Sequence, residues 1–272
     1  MTTLAAIRRG YVTVAGLRMH YRAAGDISSP TLLCLHQSPS SSAMYEPLMN
    51  CLADEFHLLA PDTPGFGSSD RLAGNIGDLE IVDYANAMHE FLQQLDVERC
   101  FIFGHHTGAG IAVQLEHDFP GTAIAIALSG PTLLSDDQKE NLPALASPIE
   151  IKSDGSHLQK MWQRISAKDP QAPAQLVQRE VQAAFACGDS YQASYLAITR
   201  QAFAEQLPAI KCPTLVYAGD HDPLYRAVEP TLALLSRGER ASLTGGERTY
   251  VCERQVKPVA ALLKEFFGRP DH

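Results

Sequence analysis

An apolar run, Cys100 to Phe103, leads straight into Gly104-His105-His106-Thr107-Gly108 and then into a stretch of helical pattern. Strand, tight turn and helix form the setting in which G-x-S-x-G lifts a serine nucleophile above a sheet. The flanking glycines leave room for a strained turn and for close helix–strand packing. Here the central position holds His106 instead of serine. An imidazole offers no hydroxyl to acylate. It does ionise near neutrality, so it can act as a general base or acid, or in principle as a covalent nucleophile. His105, one residue earlier, is expected to point beneath the turn and pack there.

The elements around this turn alternate between strand and helix patterns, which predicts a mostly parallel sheet with helices on both faces. Tyr11–Ala15 and Leu17–Tyr21 form an opening pair of strands. Thr31–Leu35 is a buried strand followed by His36-Gln37-Ser38-Pro39, and Phe56–Ala60 is another, followed by Asp62-Thr63-Pro64-Gly65-Phe66-Gly67. A helix over Asp83 to about Leu95 places Tyr84, Met88, Phe91, Leu92 and Leu95 on one face. A helix from Thr107 to Phe119 follows the turn, stopped by Pro120, and then comes a strand at Ile124–Leu128. Between Pro131 and Leu207 the alternation stops, giving way to proline punctuation and helical runs at Gln175–Ala186 and Gln192–Phe203. That stretch is too long for a plain connection and reads as an inserted helical cap. The core resumes at Thr214–Ala218, followed by Gly219-Asp220-His221-Asp222-Pro223. A strand near Ala241–Leu243 and a helix to Phe267 close the chain. The division expected is therefore a core of residues 1–130 and 208–272 with a cap of residues 131–207.

Composition narrows the function. Hydrophobic content of 45% and charged content of 19% in 272 residues suit a soluble globule with a sizeable core. The formal charge of −9 argues against nucleic acid or an anionic membrane as partner, because phosphates are repelled on average. Cys34, Cys51, Cys100, Cys187, Cys212 and Cys252 form no C-x-x-C pair and no metal-ligand spacing, and read as free thiols in a reducing cytoplasm. No apolar stretch is long enough for a signal peptide or a membrane span, so the expected location is cytoplasmic.

Four motifs in order (His36 in the first loop, Asp62–Gly67, the turn at Gly104–Gly108 and Gly219–Pro223) resemble the α/β-hydrolase superfamily over almost the whole chain. The likeness is greatest to cap-bearing members, which include esterases, C–C bond hydrolases, epoxide hydrolases and dehalogenases. It implies an α/β fold with a mostly parallel central sheet, flanking helices and an inserted cap, acting on a small molecule without a cofactor. The family's triad runs nucleophile, acid, histidine. Asp222 matches the acid, although an aspartate there could equally cap the following helix. No histidine lies between Asp222 and the terminal His272. Counting from Gly245 and Gly246 puts Glu247 in the histidine's slot, and counting back from the final helix puts Arg248 there. The resemblance also implies oxyanion donors, for which the backbone N–H groups of Gln37 and Thr107 are candidates. His36 and His157 are further candidate substrate contacts, the latter weighed against a plain turn at Asp154-Gly155-Ser156-His157. No local spacing calls for a metal among His36, His106 and Asp222.

Three functional readings follow. In the first, His106 is a general acid or base oriented by Asp222 or Glu247, working on an ester, a thioester or a C–C bond beside a ketone, or moving a proton in a lyase or isomerase reaction. A second rebuilds the triad from Ser38, His106 and Asp222, which requires the Ser38 hydroxyl within about 3 Å of His106. The third is a non-catalytic module that keeps the pocket for a small apolar ligand.

Overall fold

The computed structural model describes residues 6–243 and 248–270. These place eight strands in one sheet: β1 (Arg8–Val14), β2 (Leu17–Ala24), β3 (Thr31–Leu35), β4 (His57–Pro61), β5 (Cys100–His105), β6 (Ala123–Ser129), β7 (Thr214–Tyr217) and β8 (Gly238–Arg240). Their order is β1-β2-β4-β3-β5-β6-β7-β8. Only β2 runs against its neighbours, β1 and β4, and the remaining pairs are parallel. The predicted α/β architecture is thus the observed one.

Helices cover both faces. On one lie α1 (Glu46–Leu52) and, from the chain's end, the last two helices. On the other lie α2 (Ile81–Gln94) and α3 (Thr107–Asp118). Central strands are buried on both sides, which explains why β5 is apolar from Cys100 to Phe103 instead of alternating. Helix α2 starts two residues earlier than its apolar spacing predicts. The Asp83 carboxylate accepts the Glu80 N–H at 2.8 Å and satisfies a donor that the first turn leaves open. Its buried residues Ile81, Tyr84, Met88, Phe91 and Leu92 fall at helical spacing against the sheet.

Five helices stand between β6 and β7: α4 (Asp136–Leu145), α5 (Ser156–Ser166), α6 (Ala174–Cys187), α7 (Ser190–Arg200) and α8 (Phe203–Gln206). They have no separate core. Met161, Ile165, Val177, Tyr191 and Ile198 join the same apolar cluster as the β5 and α3 side chains. Then follow α9 (Val228–Leu234), α10 (Val251–Arg254) and α11 (Val256–Phe267), of which the last buries Val259, Leu263, Phe266 and Phe267 on the opposite face. The last strand lies slightly earlier than the sequence suggests, at Gly238–Arg240. Leu243 makes only an isolated bridge to Gly219. The cysteines are all free, with Cys51 and Cys212 only partly buried. Among the described residues no helix is long and apolar enough to cross a membrane.

Parallel strands bring their carboxyl ends to one edge of the sheet, where ligands of open α/β folds bind. Leu35 pairs with Gly104, His105 with Ser129, and Ser129 with Tyr217. The loops after β3, β5 and β7 therefore meet although far apart in sequence.

Candidate active site

His106 occupies the turn between β5 and α3 with φ 49° and ψ −113°, a conformation in the positive-φ region that non-glycine residues rarely adopt. Neighbouring structure holds it there. Its N–H donates to the Ser129 carbonyl at 2.9 Å, and its own carbonyl accepts from Ala109 at 2.8 Å. Gly108 lets α3 approach β3 so closely that a Cβ at that position would lie 2.0 Å from the Leu35 carbonyl oxygen. Such strain costs on the order of 1–3 kcal/mol and persists only where the surroundings over-determine it.

The turn aims the imidazole directly at the acid. His106 Nε2 donates to Asp222 Oδ2 at 2.7 Å, while Asp222 Oδ1 accepts the Leu224 N–H at 2.8 Å. Space for the ring comes from Gly130, where a Cβ would stand 2.5 Å from His106 Cδ2. Burial tends to raise the Asp222 pKa. The neighbouring His106, its hydrogen bond, His105 and the Leu224 N–H outweigh burial and hold the carboxyl below the ordinary aspartate value. The carboxylate is ionised and accepts the Nε2 proton, leaving Nδ1 as the ring's free lone pair. Among the described residues nothing bonds to Nδ1.

His106 lines a cavity of about 600 Å³. Gln37, Ser38 and Thr107 share its wall, and the backbone N–H groups of Gln37 and Thr107 have no acceptor among the described residues. The Gln37 side chain donates from Nε2 to the Thr249 carbonyl at 3.4 Å, and both residues line the cavity. The N–H of Ser38 donates to Thr107 Oγ1 at 3.4 Å, and no hydrogen bond joins its hydroxyl to His106.

Two expected contacts lie elsewhere. His36 does not line the cavity. Its Nδ1–H donates to the Gln37 carbonyl and its Nε2 accepts the Thr63 N–H, both at 2.9 Å, so the buried ring ties two loops together. His157 also lies off the cavity, with Nδ1 accepting the Lys152 N–H and the ring edge against Phe185. Local turn chemistry beside Asp154 governs it. Glu247 lies outside the described residues, and Arg248 is exposed on the cavity wall. His105 packs beneath the turn as expected, its Nε2–H donating to the Thr249 carbonyl at 2.7 Å and its Nδ1 accepting from the Ser129 hydroxyl at 3.0 Å. Burial, reinforced by His106, pushes its pKa down to about 3.

Sequence reasoning missed Lys168, Tyr195 and Thr132. All three line the cavity, and the Thr132 hydroxyl is buried without a partner among the described residues. Apolar wall comes from Leu134, Leu142, Leu145, Ile198 and Leu224. No signal within the 131–207 segment distinguishes these from packing residues, because its helices must first be folded over the sheet.

Comparison with known proteins agrees with the fold. An uncharacterized protein of Mycobacterium tuberculosis is 38% identical over 108 residues, 40% of this chain and 30% of that protein's length. An uncharacterized hydrolase of Saccharomyces cerevisiae is 33% identical over 121 residues, covering 41% of this chain and 38% of its own. The chain thus matches well under half the length of these relatives. The crystal structure of a hydrolase from Pseudomonas aeruginosa superposes on 96% of this chain and 99% of its own with a TM-score of 0.82 at 19% identity, a likeness of fold. The family model described as the alpha/beta hydrolase fold matches residues 30–229, well over half of the sequence. By the order of its strands, the turn after β5 and this match, the chain belongs to the α/β-hydrolase fold family.

Proposed function

We propose that the protein is a hydrolase of small carbonyl compounds (an ester, a thioester or a C–C bond next to a ketone) in which the His106–Asp222 pair is the general base and water the nucleophile. The observation that carries this reading is the 2.7 Å bond from Nε2 to Asp222, with Nδ1 left open on the cavity wall. Water attacks the carbonyl carbon as its proton passes to Nδ1, and the Asp222 carboxylate stabilises the imidazolium that forms. The oxyanion is held by the N–H groups of Gln37 and Thr107. When the tetrahedral intermediate collapses, Nδ1–H returns the proton to the leaving group, so the base is regenerated. Residues 131–207 act as the cap that closes this cavity from solvent, and no metal or cofactor takes part in the scheme.

A panel of short-chain esters and thioesters assayed across pH tests it. Turnover should rise through one ionisation that vanishes in His106→Gln, and a serine-directed organophosphate should leave the peptide containing residue 106 unmodified. Labelling of Ser38 together with loss of activity would replace this scheme with the relocated serine triad. Full activity in His106→Gln would end it.

A further inference from the structure

Lys168 is the enclosed charge on the cavity wall, and among the described residues it has no counter-ion. Lys168, just beyond α5, is only partly buried as a residue, but its ammonium group is enclosed on the cavity wall beside Tyr195. Its Nζ donates to the Ser38 carbonyl and to the Tyr195 hydroxyl, each at 3.3 Å, which is the long end of hydrogen bonding. The Tyr191 hydroxyl is a third hydrogen-bonding neighbour, so the three donors of the ammonium all meet neutral oxygens and none meets a carboxylate. The faces of Tyr191 and Tyr195 lie 5.3 and 5.9 Å from Nζ. Burial opposes the charge, but the neighbouring Tyr191, Tyr195 and Tyr250 keep the ammonium pKa well above the ordinary lysine value. The lysine stays a cation.

The buried carboxylates nearest in the fold are engaged elsewhere, and Asp137, exposed on the wall of the same cavity, makes no ion pair with Lys168. Asp169 pairs with Arg254 at 2.6 Å. Glu180 and Glu253 are both held by Arg179, and Glu180 also accepts from the Ser40 hydroxyl at 2.9 Å. No carboxylate among the described residues comes within ion-pair distance of Lys168. An enclosed ammonium with weak neutral partners is expensive to maintain for stability alone. It sits instead where a ligand could complete it. Through Ser38 it adjoins Thr107, the residue after His106.

We infer that Lys168 receives a carboxylate carried by the substrate, so that the compound presented to His106 is a small carbonyl-containing acid with an apolar body. The inference rests on the reading of this cavity as the reaction site and narrows its substrate class. An acid anchored at Lys168 lays its apolar portion along Leu134, Leu142 and Ile198, and its reacting carbonyl toward Thr107 and Nδ1. Arg248, exposed on the same wall, can help gather anions toward a chain whose net charge is −9, without fixing their position.

Binding tests this without needing turnover. Calorimetric titration at pH 7 compares 4-phenylbutanoate with 4-phenylbutanamide, which have the same shape and differ in charge. Wild type and His106→Ala should both prefer the acid by at least about tenfold, roughly the strength of one charge-assisted hydrogen bond. Lys168→Met should bring acid and amide to parity, Lys168→Arg should retain a preference, and Arg248→Gln should leave it in place. The wild-type comparison stands even where a Lys168 variant folds poorly, and thermal melting of each variant identifies that case. Equal binding of acid and amide by wild type, or a preference that survives Lys168→Met, overturns the inference. Loss of turnover chemistry at His106 with the acid preference intact would overturn the proposed reaction and leave this anion site standing.

Discussion

The described residues contain two buried histidine–aspartate pairs, and these make different use of nearly the same bond. His20 Nδ1 lies 2.8 Å from Asp62 Oδ2, and His106 Nε2 lies 2.7 Å from Asp222 Oδ2, with both carboxylates 1% exposed. Asp62 is a hub. It also accepts from the Ser42 N–H and hydroxyl and from the Ser68 N–H, so the loop after β4 is wound around it. These contacts outweigh burial, which opposes its charge, and hold its pKa well below the ordinary aspartate range. Asp222 has only His106 and the Leu224 N–H. The first histidine is packed against Tyr11 away from the cavity, while the second lines it. A histidine–carboxylate bond is therefore not a site in itself. What marks Asp222 is that its histidine keeps a free nitrogen where a small molecule can reach it.

The comparison breaks most visibly on removal of each imidazole. His106→Ala should lower turnover by about 10²–10⁴-fold, the range for loss of a general base, and also cost some stability because Asp222 keeps only the Leu224 N–H. His20→Ala should leave kcat within about twofold and instead destabilise the protein by about 1–3 kcal/mol, because Asp62 loses a buried partner. Steady-state kinetics and thermal unfolding on the two variants check both halves. Matching losses of activity in the two would erase the distinction.

Aspartate-to-asparagine changes sharpen it. Asp62→Asn puts an amide where three donors and a histidine converge, and should cost about 3 kcal/mol by urea unfolding. Asp222→Asn should cost less stability but still slow turnover by about 10²-fold or more. An amide NH2 facing Nε2 makes that nitrogen the acceptor, and the proton moves to Nδ1, where it blocks the base.

The turn was legible in the sequence because glycines on both sides of His106 have no other economical explanation. Asp222 was legible because an apolar strand precedes it and glycine and proline bracket it. The sequence left open whether Asp222 or Glu247 would face His106, and it is the strand order of the folded sheet that brings Asp222 to it. Lys168 was not legible. Its meaning comes from Tyr195 on α7 and Ser38 after β3, contacts that exist only when residues 131–207 are folded over the sheet. His36 and His157 lie off the cavity for a related reason: a histidine in a loop can be held by backbone groups that sequence does not reveal. In His36 both ring nitrogens are used in this way.

The smallest expected effect concerns His105, which adjoins His106 but is buried beneath the turn. Its unfolded pKa is near 6.5 and its folded value about 3, so below pH 6.5 the unfolded chain takes up a proton that the folded chain refuses. The stabilisation is fully present above 6.5 and is lost progressively as pH falls toward 3, by up to about 2 kcal/mol at pH 5. Urea midpoints at pH 7 and pH 5 should diverge in wild type and converge partly in His105→Asn. His36 and His57, whose pKa values burial also lowers, keep part of the slope in place. An unchanged slope in His105→Asn would mean that the ring is protonated in the folded state.

Gly130 limits what residue 106 can be exchanged for. The imidazole spans the distance from the turn to Asp222 through the notch that the missing Cβ leaves. A serine at position 106 would end one bond beyond its Cβ, short of the acid, and no histidine lies between Asp222 and His272 to bridge them. A serine mechanism at this turn would therefore need a second change that brings in a base from elsewhere.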